Sequence, residues 1–402
     1  MTLSRQRDPD PVVTVGHAEP VGGLPLQRED SPRRTAGDAT GTLARVDLPV
    51  MPPIKPMLAK PVAELPEGPM SYEPKWDGFR CVVFRDGDEV VLGSRNERPL
   101  NRYFPEMLPA FAASLPDRCV VDGELFVAID GRLDFDALGQ RIHPAASRVA
   151  MLAESTPADF VAFDVLAVDD QSLVRRPFGE RRAALEGIAG SFGAPVHLAP
   201  ATPDPQVALE WFERFEGAGL DGLIVKPLGE PYVFDKRTQF KLKHVRSADC
   251  VVAGYRVHKS GEGVGSLILG LYAPDGQLWH VGVAASFTAK QRVALLEDVV
   301  PLALDDLREH PWAEWMDAEA NADGSMPGAP NRWSGTRQRD HSWIPLRPER
   351  VVEVTYNWST AGRFRGTTKM LRWRPDREPA SCSTEQLQEP EPVPISEVLG
   401  TA

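Results

Sequence analysis

Cysteine is scarce in this chain: Cys81, Cys119, Cys250 and Cys382 are its four, and no two of them stand as Cys-x-x-Cys. That spacing excludes a disulfide framework and a zinc ribbon, and it fits a reducing cytosol. Long apolar runs are missing too. None approaches the roughly 18–20 residues that a membrane span needs, and the N-terminus carries no apolar secretory core, so a cytoplasmic protein is expected. Positive charge is in deficit, with a formal net charge of −12. Averaged over the chain, that balance speaks against a nucleic-acid partner, but phosphate binding needs only a local basic surface. Two basic clusters exist: Lys236, Arg237, Lys241, Lys243, His244 and Arg246, and then Arg363, Arg365, Lys369, Arg372, Arg374 and Arg377. Each taken singly reads equally as a solvated face; flanking one candidate domain, they favour a phosphate-binding surface.

A length of 402 residues accommodates two or three domains. Residues 1–47, rich in Arg, Asp, Pro, Gly and Thr, read as a disordered arm. Between 48 and 244 short strands alternate with helices. Arg80–Phe84 and Glu89–Gly93 form a hairpin across Asp86-Gly87. Strands are expected at Cys119–Asp122, Phe160–Leu166 and Leu223–Lys226, and helices at Phe104–Ala113, Gly179–Ala189 and Val207–Ala218. This mixture predicts an α+β domain. Residues 245–384 carry strands at Cys250–Tyr255, Ser266–Tyr272, Leu278–Ala284 and Val351–Tyr356 with one helix over Thr288–Leu302, the pattern of a small OB-fold β-barrel. Glu309–Ser342 reads as an irregular excursion, and residues 385–402 as a flexible C-terminal tail.

The run Glu73-Pro74-Lys75-Trp76-Asp77-Gly78-Phe79-Arg80 carries the most chemistry. It sets a lysine between apolar bulk and a glycine, with carboxylates and an arginine close in sequence. An amine attacks phosphorus only when deprotonated, and lowering a lysine pKa from about 10.4 toward 7 takes roughly 4 kcal/mol of destabilisation of the ammonium. A hairpin turn at Asp77-Gly78 with an incidental lysine is the alternative. Further along stand Ser94-Arg95-Asn96, Asp122-Gly123-Glu124-Leu125, Ala162-Phe163-Asp164-Val165, Asp221 to Lys226, Phe240-Lys241-Leu242-Lys243 and Arg372-Trp373-Arg374-Pro375-Asp376. Arg80, Arg95, Lys241 and Lys243 supply fixed cations for a polyphosphate. The Lys241-x-Lys243 spacing sends both ammonium groups to one face of a strand. Glu124 and Asp221, each beside glycine, offer hard oxygen ligands for Mg²⁺, or else cap a turn. Phe163 either stacks on a base or fills the core.

In this order the blocks resemble the motif series of the ATP-dependent DNA ligases, within the covalent lysine nucleotidyltransferases, and most closely the small bacterial ligases of break repair. The resemblance runs from about Pro56 to Ser383. It implies an adenylation (nucleotidyltransferase) domain followed by the OB-fold domain, with Lys75 as the nucleophile that takes AMP from ATP. Nucleotide contacts are implied for Glu73, Arg80, Arg95, Glu124, Phe163, Arg237, Lys241 and Lys243. Glu73 matches the position that recognises the adenine amino group, and Lys243 the α-phosphate contact. Arg372 and Arg374 would orient the leaving pyrophosphate; Arg377 stands where many relatives have lysine. Mg²⁺ or Mn²⁺ is implied at Glu124 and Asp221, where most relatives carry Glu in place of Asp221. The loop Lys259-Ser260-Gly261-Glu262-Gly263 is either a DNA-backbone contact or a hairpin tip. The implied partners are nicked or broken duplex DNA, an end-bridging protein and a separate repair polymerase, around a monomeric, nucleoid-associated enzyme. An RNA ligase or capping guanylyltransferase shares the lysine motif and the two-domain plan. A non-catalytic end-binding scaffold would have no use for a reactive amine, and an NAD-dependent ligase would carry a cysteine-rich zinc element.

Overall fold

A computed structural model of the chain describes residues 46–143, 145–313, 342–360, 362–387 and 390–400. Nearly all of the expected N-terminal arm and most of the Glu309–Ser342 excursion lie outside these residues. No helix among the described residues is long and apolar enough to cross a membrane.

Two sheets build the first part of the molecule. A four-stranded sheet runs in the order Leu58–Val62, Arg237–Leu242, Leu223–Pro227, Met70–Pro74. A six-stranded sheet has the path Val196–Leu198, Asp159–Val168, Arg118–Phe126, Phe79–Asp86, Glu89–Ser94, with Gln171–Ser172 on Asp159–Val168. The central strands read as near-continuous apolar runs because both of their faces are covered. Cys81 and Val83 pack with Phe104, Phe111 and Phe160, whereas Val82 and Phe84 pack with Val46, Leu48 and Met57. Val46, Leu48 and Val50 thus cover this second face, buried positions alternating with the exposed Asp47 and Pro49.

The second part is a five-stranded antiparallel sheet, Leu278–Ala284, Val264–Tyr272, Arg246–Val257, Ile344–Tyr356, Lys369–Trp373. Its two edges meet at one bridge, Ala284 to Thr368, so the expected barrel is an open sheet brought together at a single point. The helix expected over Thr288–Leu302 is Ala289–Val299, started by a capping box between Thr288 and Gln291. It gives way to a 3₁₀ turn at Val300–Leu302, where Pro301 supplies no N–H to continue the ladder. Similarly, Phe104 precedes a proline, which disfavours the helical region, and that helix begins only at Met107.

The C-terminal segment differs from its expectation. Instead of trailing as a flexible tail, residues 390–400 return to the first sheets, where Ile395–Val398 forms one helical turn and Val398 is buried. The sequence hint was small: four apolar positions among prolines, too few for a periodic signal.

Candidate active site

Lys75 leaves the end of the Met70–Pro74 strand and enters the segment leading to Phe79–Asp86, so it stands at the seam between the two sheets. Its backbone is clasped on both sides: the Lys75 N–H donates to the Gly222 carbonyl at 2.8 Å, and the Asp221 N–H donates to the Lys75 carbonyl at 2.9 Å. These bonds continue the pairing of Pro74 with Leu223. Gly222 is required there, because it has φ +108° and a Cβ would collide with the Leu242 carbonyl.

Around this seam lies a cavity of about 720 Å³ whose walls include Glu73, Lys75, Arg80, Arg95, Glu124, Phe163, Arg237 and Lys241. Its volume suits a nucleotide. The four-stranded sheet supplies Glu73, Arg237 and Lys241, and the other sheet supplies Arg80, Glu124 and Phe163. Arg80 is locked by a bidentate pair with Asp122 at 2.5 and 2.5 Å, and the Tyr232 hydroxyl donates to the same carboxylate at 2.6 Å. Phe163 is 8% exposed and has two cations near its ring, Arg80 at 4.5 Å and Lys226 at 4.7 Å from the centroid. It is at once a core residue and part of the cavity wall.

Asp221 and Lys243 line an adjoining cavity of about 300 Å³, together with Asp77, Tyr356 and Arg365. The strand ends at Leu242, so the two lysines diverge from their expected common face: Lys241 faces the larger cavity and Lys243 turns to Asp221. Lys75 Nζ is 2.9 Å from Asp221 Oδ2, and Lys243 donates to the same oxygen.

This arrangement corrects one expectation. Lys75 was expected to be held uncharged. Burial does work to lower its pKa, but the carboxylates of Asp221, Asp77 and Glu124 outweigh burial and hold the ammonium above the usual lysine range. Asp221 is also buried, yet Lys75 and Lys243 pull its carboxyl below the ordinary value. Lys241 moves the other way: partial burial, then Lys243 and Lys75, lower its pKa. Glu124 is raised from 4.5 to about 7, because burial outweighs the attraction of Arg80 and Lys75. A carboxyl raised on folding contributes stability that is complete below its usual pKa and is lost as pH rises through the folded value. Thermal melts should therefore show the parent losing stability relative to Glu124→Gln between pH 4.5 and about 7; parallel melting curves across that window would contradict the assignment.

Sequence reading missed Lys226. It is 2% exposed, as is Glu73, and its Nζ lies 2.7 Å from Glu73 Oε2 and donates to the Phe163 carbonyl at 2.9 Å. Glu73 Oε1 is buried with no hydrogen-bond partner among the described residues, which leaves an acceptor on the wall of the cavity. The available signal was a lysine closing the apolar strand Leu223-Ile224-Val225.

Arg372 and Arg374 are not brought to the cavity. Arg372 pairs with Glu353 at 2.7 Å, and Arg374 pairs with Asp249 at 2.9 Å and Asp376 at 2.8 Å. The second part of the molecule instead offers Arg365, from the segment between Ile344–Tyr356 and Lys369–Trp373, which donates to Asp77 two residues past Lys75 and lies 4.1 Å from the Phe135 ring centroid.

Among the described residues no group of three or more His, Cys, Asp or Glu forms a metal cage. Glu124 and Glu73 are the carboxylates lining the larger cavity, and Glu73 is taken by Lys226. These donors fit a divalent cation that arrives with a triphosphate and needs one or two protein carboxylates; they do not fit a cation held by protein alone.

Residues 56–243 match the family model described as ATP dependent DNA ligase domain, and residues 260–377 the ATP dependent DNA ligase C terminal region. The chain is 54% identical to DNA ligase C of Mycobacterium tuberculosis over 359 residues, covering 88% of this chain and 99% of that protein. It is 55% identical to DNA ligase C2 of Mycolicibacterium smegmatis over 349 residues, covering 86% and 97%. The solved structure Pmar-Lig_Pre shares the fold, with a TM-score of 0.51, 14% identity and coverage of 80% of this chain and 68% of that one. The chain belongs to the ATP-dependent DNA ligases.

Proposed function

We propose that this DNA ligase works through a lysyl-AMP intermediate formed at Lys75. The observation that carries the reading is Lys75, its backbone clasped at the seam of two sheets and its side chain on the cavity that Glu73, Arg80, Arg95, Glu124, Phe163, Arg237 and Lys241 line. The chain takes ATP as its substrate and works with a divalent metal.

In the first step the Lys75 nitrogen forms a bond to the α-phosphorus of ATP, pyrophosphate leaves, and the amine gives up a proton. Before that it must give up its ion pair with Asp221, which Lys243 retains. Mg²⁺ or Mn²⁺, when bound with the triphosphate near Glu124 and Asp221, supplies charge that offsets both the phosphates and the carboxylates that keep Lys75 protonated. Phe163 stacks on the base, and the open oxygen of Glu73 accepts from the adenine amino group. Arg80, Arg95, Arg237 and Lys241 hold phosphate and ribose. In the second step a 5′-phosphate oxygen at a nick takes the AMP and the P–N bond breaks. The 3′-hydroxyl then attacks the 5′-phosphorus and AMP departs.

Arg372 and Arg374 serve the first step only. Their present ion pairs lie within residues 245–384, so the second domain must turn to bring them to the pyrophosphate; residues 48–244 and 245–384 are the two bodies of that motion. We place the enzyme in break or excision repair in the cytoplasm, acting as a monomer on nicked or broken duplexes with an end-bridging protein and a separate polymerase. Neither the family models nor the relatives support the RNA-ligase or capping alternative.

Sealing of a 5′-phosphorylated nicked duplex with ATP and Mg²⁺ tests the reading, and a purified enzyme unable to seal it would refute it. In the same assay Arg374→Ala should slow AMP loading by about 10²-fold while sealing of a pre-adenylylated nick stays near the parent rate. Equal losses in both steps would remove Arg374 from the pyrophosphate site.

A further inference from the structure

The chain follows the second domain as far as Leu387, which is buried in that domain's core. From Pro390 it lies on the first domain. The Ile395 N–H donates to the Gly131 carbonyl at 2.7 Å, Glu397 pairs with Arg214 at 2.6 Å, and the Glu391 backbone passes so close to Gly217 that a Cβ there would meet its carbonyl. Val398 is 3% exposed in a cluster that contains Trp76, Phe126, Phe163 and Leu220, with Ile395 and Leu399 packed against it.

Trp76 is the chain neighbour of Lys75 itself, and Leu220 is the chain neighbour of Asp221, whose N–H donates to the Lys75 carbonyl. Both ends of the clasp therefore root in the cluster that Val398 completes. The indole N–H of Trp76 makes no hydrogen bond among the described residues, so apolar packing alone holds the ring, its nearest aromatic partner being Phe126 at 5.1 Å.

We propose that the C-terminal strap of residues 390–400 is a positioning element for lysine adenylylation, Val398 fixing Trp76 and hence the reach of the Lys75 amine. This rests on the lysyl-AMP reading. A misplacement on the order of 1 Å in a reacting group costs up to 10²-fold in rate, and the effect should fall on the step in which the lysine nitrogen reacts. Sealing of a pre-adenylylated nick needs no attack by that nitrogen.

The test compares the full chain with Val398→Asp, Val398→Ala and Val398→Ile in single-turnover AMP loading across ATP concentrations, and in sealing of a pre-adenylylated nick. Val398→Asp should lower the maximal loading rate by about tenfold or more, with sealing of the pre-adenylylated nick within about twofold of the parent. Val398→Ile should restore loading. Val398→Ala, which adds no charge, decides the matter where Val398→Asp does not fold, and should show a smaller loss confined to the same step. Equal losses in both steps would make the strap a stability element only; unchanged loading in Val398→Ala would equally overturn the proposal. AMP loading by the parent enzyme, measured alongside, separates a failure of this proposal from a failure of the lysyl-AMP reading.

Discussion

Lys75→Ala incubated with ATP and Mg²⁺ should gain no mass of AMP, while the parent gains one equivalent. The loss is complete because no second group can substitute. The neighbouring amine, Lys243, is held by Asp221, and Lys241 sits two strands away from the Met70–Pro74 strand in the same sheet. The same variant should still seal a nick whose 5′-phosphate already carries AMP, since that reaction requires the base pocket and the phosphate cations but not the lysine nitrogen. A labelled Lys75→Ala protein would refute the nucleophile assignment; loss of both activities would make Lys75 a general structural residue. In the parent, loading should rise with pH, because the amine held above the usual lysine range must shed its proton before it attacks.

Lys226→Met should cost about 3–5 kcal/mol of stability, the usual consequence of leaving a buried charge unpaired. Lys226 and Glu73 are nearly inaccessible, and their contact is 2.7 Å. Methionine fills a similar volume but leaves the Glu73 carboxylate in an apolar wall. Burial already raises the Glu73 pKa against the pull of Lys226, and without the lysine it rises further. A carboxyl with a raised folded pKa gains stability as pH falls, so the deficit should shrink on acidification. The double variant Glu73→Gln, Lys226→Met should recover most of the lost stability, because no charge then remains to be solvated. Melting curves of the three proteins from pH 5 to neutrality decide this. A single-variant loss below about 1 kcal/mol, the range of exposed pairs, would mean that the pair is hydrated in solution.

The residues of the site differ in how far the sequence announced them. Lys75 was legible because its motif is contiguous: Glu73, Lys75 and Arg80 fall within one turn and two strand ends, where local chemistry and local geometry coincide. Phe163 was legible as an aromatic in an alternating strand, but its two readings were separated only by the fold, which puts cations on the ring and a cavity beside it. Lys226 stood in a buried strand and in the Asp221 to Lys226 block but carried no role, since its partner carboxylate, Glu73, is far away in sequence. Arg365 was read as one member of a basic cluster, and its pairing with Asp77 depends on how the second part of the molecule meets the first. The expected flexible tail failed for the same reason: Val398 is one of four apolar residues in a proline-rich stretch, and only the cluster that contains Trp76, Phe215 and Ala218 turns it into core.

Composition, strand periodicity and ordered motifs were enough to determine the class of chemistry, the existence of an α+β catalytic domain and most of the charged residues that line the larger cavity, because each depends on neighbours within a few positions. The protonation of Lys75, the buried partner of Glu73, the placement of Arg374 away from the cavity and the docking of the C-terminal strap were decided only by tertiary structure. Each is set by charges and surfaces that chain folding brings together from distant positions, and electrostatic energy and packing depend on distance in space, not on separation along the chain.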